Sequence, residues 1–267
     1  MIVAQISDTH ISTGEMRYRN ELALQRAVSH LMTLPARPDV VLITGDCVDA
    51  GSLEEYRQFQ QLLQPLTMPV YVIPGNHDDR KNLQRVFGEQ GAPAMPGFVQ
   101  YVVDKWPVRL IALDTNVPFE ADGFLCSERL AWLHERLVEQ PERPTLIFMH
   151  HPPFKTGLKV QDDMGLGNAE AFWDIIADHP QVERIVAGHL HSAMLQRCRN
   201  TIAMTCPSTI ELLLPDFHQP QRLGIVTQAP ACLLHVWTED SGLVTHTSII
   251  GEYEPAKLVH DGERWLS

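Results

Sequence analysis

Short apolar runs alternate with segments of helical period along the first two-thirds of the chain. Residues 2–6 form a β-rich run that ends in Ser7-Asp8. Residues 21–34 place Leu22, Leu24, Ala27, Val28, Leu31 and Met32 on one side of an amphipathic helix. Residues 40–44 read as a buried strand closed by Gly45-Asp46, and Ser52 with Glu55 three positions later is a capping box opening a helix to about Leu63. Strands follow at 70–73, at the pair 99–103 and 109–113, and at 145–149 and 182–187, with helices at 127–139 and 168–177. Past Gly188 the helical period fades, and β-like runs remain at 193–197, 201–205, 223–227, 232–237 and 243–250. Strand–helix alternation followed by strands alone predicts an α/β layered domain completed by antiparallel strands. A single domain over residues 1–267 is expected, with a small cap excursion at the proline-rich stretch 207–220. Within that stretch Leu212, Leu213 and Leu214 read either as a buried strand or as a cap or homo-oligomer contact.

Composition narrows the function classes. The formal net charge is −12 and no basic run occurs, which argues against nucleic-acid binding through counterion release and against an anionic membrane surface. No window approaches the roughly 18 apolar residues of a spanning helix. The five cysteines are scattered without a Cys-x-x-Cys pair, so neither a disulfide framework nor a thiolate metal site is suggested. The first residues run directly into a strand pattern with no leader-like stretch, and a cytoplasmic location is expected.

The chemistry gathers where strands end. Asp8-Thr9-His10, Gly45-Asp46, Gly75-Asn76-His77-Asp78, His150-His151 and Gly188-His189-Leu190-His191 each follow a different strand run. The carboxyl edge of a sheet is where α/β proteins collect ligands. Taken singly, each cluster also has an ordinary reading as a turn or a loop cap. The alternating histidines of the last cluster would project to one face if they lay on a strand. Carboxylates, imidazoles and one amide suit borderline divalent ions such as Fe, Mn, Zn or Co.

The ordered set Asp-x-His, Gly-Asp, Gly-Asn-His-Asp, His, Gly-His-x-His resembles that of the calcineurin-like metallophosphoesterases, over Asp8 to His191. The runs Pro74-Gly75-Asn76-His77-Asp78-Asp79 and Ile147-Phe148-Met149-His150-His151-Pro152-Pro153 look most like its class III phosphodiesterase group, glycerophosphodiesterases and 3′,5′-cyclic nucleotide phosphodiesterases among them. The resemblance implies a four-layer α/β/β/α sandwich and two divalent metal ions. It assigns Asp8, His10, Asp46 and His191 to the first ion, and Asp46, Asn76, His150 and His189 to the second, with Asp46 shared. It places His77 and Asn76 against the substrate and gives His77 and Asp46 catalytic roles. His218, in the 207–220 excursion, is a further candidate substrate contact, its plainer reading being an exposed loop histidine.

Elementary electrostatics agrees with such a centre. Two divalent ions outweigh Asp8 and Asp46, so an anionic ester is attracted despite the acidic chain. Ions about 3.5–4 Å apart can activate a water for in-line attack on phosphorus, and no side-chain nucleophile is needed. The second ion has neutral Asn76 where the first has Asp8, and weaker binding there is expected. The expected activity is hydrolysis of a small phosphodiester of glycerophosphodiester type. A 3′,5′-cyclic nucleotide phosphodiesterase is the nearest rival. A phosphomonoesterase, for which the motifs offer no arginine but Arg80, and a non-catalytic binding scaffold are the remaining alternatives.

Overall fold

The computed structural model describes residues 1–251 and 257–266. Two sheets stack face to face. The first has strand order β13-β12-β1-β2-β3 and the second β4-β5-β6-β7-β9-β8. In the first, β1 (Ile2–Ile6), β2 (Val40–Ile43) and β3 (Val70–Val72) run parallel, and β12 (Ala231–Thr238) and β13 (Gly242–Ile249) add on antiparallel. In the second, β5 (Arg109–Ala112), β6 (Thr145–Phe148), β7 (Val182–Ala187) and β9 (Thr201–Thr205) are parallel, with β4 (Tyr101–Val103) and β8 (Met194–Cys198) as antiparallel edges.

The pleat of the second sheet explains the layering. Leu110, Ala112, Leu146, Phe148, Val186 and Met204 face the first sheet and join its core. Their neighbours Ile111, Ile147, Ile185 and Ala203 face the other way, against Leu133 and Leu137 of α4 (Ser127–Glu139) and Phe172 and Ile176 of α6 (Ala169–Ala177). On the outer face of the first sheet lie α1 (Arg17–Thr33), α2 (Leu53–Leu63) and α3 (Arg80–Phe87), through Leu24, Val28, Leu31, Tyr56, Phe59 and Leu83. Strands buried on both faces read as continuous apolar runs, as residues 40–43 and 145–148 do.

The elements match the sequence pattern with a few instructive differences. The capping box forms as expected: Ser52 accepts from the Glu55 N–H, and the Glu55 carboxylate accepts from the Ser52 N–H. Helix α1 starts at Arg17, not at residue 21. Its first turn has no apolar side, and is held by the Arg17–Glu21 ion pair and by Asn20 donating to the His10 carbonyl. Strand β4 starts at Tyr101 because the Asp114 carboxylate takes the Val99 N–H out of the ladder. Helices α3 and α5 (Lys159–Asp163) were not expected, and α3 buries only Leu83 fully. The 207–220 stretch contains β10 (Leu212–Leu213), which pairs with β11 (Ile225–Val226) as a separate two-stranded ribbon. All five cysteines are free thiols, and no described helix is long and apolar enough to cross a membrane.

One buried histidine gives the fold a pH dependence. Burial, aided by the Arg184 charge, holds His235 down to about 3 from the ordinary 6.5. The unfolded chain therefore binds a proton that the folded one refuses, and stability falls as pH drops from about 6.5 toward 3. At about 1.4 kcal/mol per pH unit, the stability lost between pH 7 and pH 5 should be ~2 kcal/mol smaller in His235→Gln than in the wild type. Urea unfolding at both pH values checks this, and an unchanged difference would refute it.

Candidate metal centre

All five polar clusters lie at the carboxyl edges of parallel strands, on the same rim of the sandwich. The first sheet brings Asp8 and His10 (after β1), Asp46 (after β2) and Asn76 and His77 (after β3). The second brings His150 and His151 (after β6) and His189 and His191 (after β7). Backbone bonds past the strand ends hold the loops together: Asp8 N–H to the Gly45 carbonyl, His10 N–H to that of Asp46, and Gly188 N–H to that of His150.

Asp8, His10, Asp46, His189 and His191 all have positive φ, between 42° and 71°. Left-handed backbone at a residue other than glycine costs roughly 1–3 kcal/mol and persists where the surroundings impose it. His189 and His191 lie beyond the end of β7, so their alternation comes from these turns and not from a pleat. They accordingly join different groups. His191 groups with Asp8 and His10, while His189 groups with His150 and His151. Glycine is needed where the loops touch, since a Cβ on Gly75 would overlap the Asp46 carboxylate and one on Gly45 the His150 ring.

Asp46 sits between the two groups. Its Oδ2 lies 3.6 Å from His10 Nε2 and 3.5 Å from His150 Nε2. His10 Nε2 and His191 Nε2 are 3.2 Å apart, His191 Nε2 is 3.7 Å from Asp8, and His150 Nε2 is 3.1 Å from Asn76 Oδ1. The tautomers follow from the other ring nitrogens. His150 Nδ1 is 2.7 Å from the Thr44 carbonyl and His191 Nδ1 is 3.2 Å from that of Glu211. A carbonyl only accepts, so both Nδ1 atoms carry hydrogen and both Nε2 atoms present lone pairs in the neutral rings. Those lone pairs face carboxylate and amide oxygens, which are acceptors too. Acceptors converging on one point call for positive charge among them, supplied by ring protons or by a cation, and the nitrogen and oxygen donors fit borderline divalent ions.

The charges respond to this crowding. Burial lowers the His10 pKa, but the Asp49, Asp46 and Asp8 carboxylates outweigh it and raise it to about 9. His150 is likewise lowered by burial and carried up to about 9 by Asp46 and Asp8. Burial and the His150 charge push His189 down to about 3.

Further residues support the site, of which only Asp49 escaped the sequence reading. Asp49 faces both His10 and His77, at 3.7 and 3.6 Å, and its carbonyl lies 2.9 Å from His77 Nδ1. His151 is buried against His189, with Nδ1 2.8 Å from the Thr115 hydroxyl. Asp78 accepts from the N–H groups of Gly75, Cys47 and Val48 and from the Tyr56 hydroxyl, locking the loops of Asp46 and Asn76 together. Burial and the Asp46 charge raise the Asp78 pKa to about 6. Asp79 caps α3. For Asp49 only the Asp-x-x-Asp spacing from Asp46 is visible in sequence. His218 stands apart, exposed in the β10–β11 turn with its N–H on the Asp216 carboxylate.

A calcineurin-like phosphoesterase family model matches residues 1–193. The chain belongs to that family. A probable glycerophosphodiester phosphodiesterase GpdQ of Arcobacter nitrofigilis is 37% identical over 259 residues, 95% of each chain. A probable cyclic nucleotide phosphodiesterase of Synechococcus is 34% identical over 221 residues, 82% of this chain and 83% of that one. A dimetal phosphatase from Danio rerio shares the fold, with a TM-score of 0.71 over 94% of this chain and 99% of that one, at 17% identity. As in the family, the chain is a hydrolase whose clusters of histidine and aspartate can hold divalent metal ions.

Proposed function

We propose that the protein hydrolyses small phosphodiesters at a pair of divalent ions, with glycerophosphodiesters as the first substrate class. The observation that carries this reading is the meeting of two donor groups at Asp46. Asp8, His10, Asp46 and His191 would hold one ion, and Asp46, Asn76, His150 and His189 the other, each ion being Fe, Mn, Zn or Co. Such ions supply Lewis acidity toward a phosphoryl oxygen and acidify water at neutral pH. The substrate class follows the relative of Arcobacter nitrofigilis, whose similarity spans nearly the whole of both chains.

The chain's own residues do the rest. His77 is half-exposed at the rim, its backbone N–H held by Asp46 Oδ1 and its Nδ1–H by the Asp49 carbonyl. That leaves Nε2 to donate to a phosphate or leaving-group oxygen when the ring is protonated. Arg80 is engaged with the Asp114 carboxylate at 2.5 and 3.0 Å and with the Asn116 carbonyl. It is therefore not a free clamp for a dianionic monoester, which favours diesters. His77→Ala should lower kcat about 10²–10⁴-fold on a diester with a poor alkoxide leaving group. It should lose much less on an activated aryl diester, with metal content unchanged. Equal losses on both would remove the proton-donor role.

The cyclic nucleotide reading has one observation of its own. Phe154 and Phe217 line a cavity of about 380 Å³ whose wall includes Ser192, next to His191 in the chain. Two aromatic rings could take a purine. Metal-loaded protein assayed on glycerophosphodiesters, 3′,5′-cyclic AMP, an activated diester and an activated monoester decides. Preference for the monoester, or no hydrolysis with any divalent ion, would end the diesterase reading.

A further inference from the structure

Beneath the two ligand groups a run of buried polar side chains crosses the sandwich, and the proposed chemistry uses none of them directly. Its node is Gln5 of β1. The Gln5 amide nitrogen donates to the Ala187 carbonyl and to Thr44 Oγ1, both at 2.9 Å, and Gln5 Oε1 faces His235 Nε2 at 3.1 Å. Thr44 Oγ1 donates to the Ser7 hydroxyl at 2.8 Å, and the Thr44 carbonyl is the partner of His150 Nδ1. At the far end His235 Nδ1 lies 2.9 Å from the Thr245 hydroxyl. Gln5, Ser7, Thr44 and His235 are each fully buried.

The directions are forced. The Ala187 carbonyl only accepts, so the amide nitrogen of Gln5 must face it and Oε1 must face His235. His235 Nε2 then carries hydrogen, and Nδ1 accepts from Thr245. Gln5, Ser7, Thr44 and His235 all find partners, which is the condition under which a buried polar run rigidifies what it joins. What it joins is the base of three ligand segments. Gln5 shares β1 with the approach to Asp8, Thr44 stands two residues before Asp46, and Ala187 stands two before His189.

The first sheet supplies Asp8, His10, Asp46 and Asn76, and the second supplies His150, His189 and His191. Apolar packing between sheets is non-directional, and the Gln5–Ala187 bond adds a directional tie beneath those at the rim, such as His189 N–H to the Asp8 carboxylate. A metal site needs ligand distances within about 0.2 Å. We propose that Gln5 and His235 are positioning residues that fix the spacing of the two sheets at the metal centre. The proposal rests on the two-ion reading of Proposed function.

Two variants test it, Gln5→Met and Gln5→Met/His235→Phe, each read by calorimetric Mn²⁺ titration and by the Tm of the metal-free protein. Gln5→Met strands the His235 N–H, while the Ala187 carbonyl keeps the Cys206 N–H, so Tm falls. The double variant removes both members of the central pair, and Tm should largely recover. Affinity for at least one ion should fall about 10–100-fold in both, the scale found when the partners that orient ligands are lost. Wild-type affinity in Gln5→Met, or affinity that recovers together with Tm in the double variant, would reduce the run to packing. Should Gln5→Met not fold, the double variant decides alone; if neither folds, the pair serves folding and the proposal fails. Fewer than two ions on the wild type would overturn the two-ion reading itself, separately from any difference between variants.

Discussion

Asp46→Asn should abolish phosphodiester turnover, with a loss above about 10³-fold, and strip the protein of both ions. The expected loss exceeds the 10–100-fold seen for residues that only orient ligands. Among the described residues, Asp46 is the one carboxylate within 3.6 Å of a histidine from each group. Burial would raise its pKa, but the His150, His10 and His77 rings hold it well below the usual carboxylate range. Asparagine keeps the shape and removes the charge both groups depend on. Its amide would also present hydrogens toward His10 or His150 in place of a lone pair. Metal analysis after dialysis, alongside kcat on an activated diester, checks the result. Retention of either ion at wild-type affinity would show that Asp46 is not shared.

His150→Ala should cost a comparable share of turnover by a different route, keeping one ion and losing the other. His150 faces Asn76 and groups with His189, and it meets Asp8 only across Asp46, while His191 and His10 group with Asp8 on the other side. Its ring also bonds the Thr44 carbonyl and packs against the bare α-carbon of Gly45. Truncation leaves that carbonyl only the longer bond from the Ser7 hydroxyl, at 3.3 Å, so a modest fall in Tm should accompany the loss. One tightly bound ion per chain with kcat reduced about 10³-fold or more is the expected result. This loss too exceeds that for orienting residues. Two ions at wild-type affinity would exclude His150 as a ligand.

Much of the site was legible because strand ends are legible. An apolar run that stops at Gly45-Asp46 or Gly188-His189 shows where the chain leaves the sheet. The residue that follows is then at the rim whatever the loop does. Positions that depend on contacts between segments were not legible. Asp49 matters because it faces His10 and His77, and Glu211 because its carbonyl fixes the His191 ring from 20 residues away. The left-handed turns at Asp8, Asp46 and His189 carry only a weak signal, since aspartate and histidine are enriched in such backbone but seldom adopt it. Helix α3 was missed because one fully buried leucine makes no stripe. The strand pattern fixed the α/β class, but it did not say which strands share a sheet. Residues 2–6 and 145–149 read alike, and the four-layer arrangement came from family resemblance.

The antiparallel pairing of β1 with β12 joins Ile2 to Val236. During synthesis, β1 therefore waits with one edge bare while more than two hundred residues are added. Asp8 and His10 are made among the first residues, but the sheet that carries them closes only when β12 leaves the ribosome. A nascent or truncated product lacking β12 would therefore expose a sticky strand edge to chaperones and aggregation.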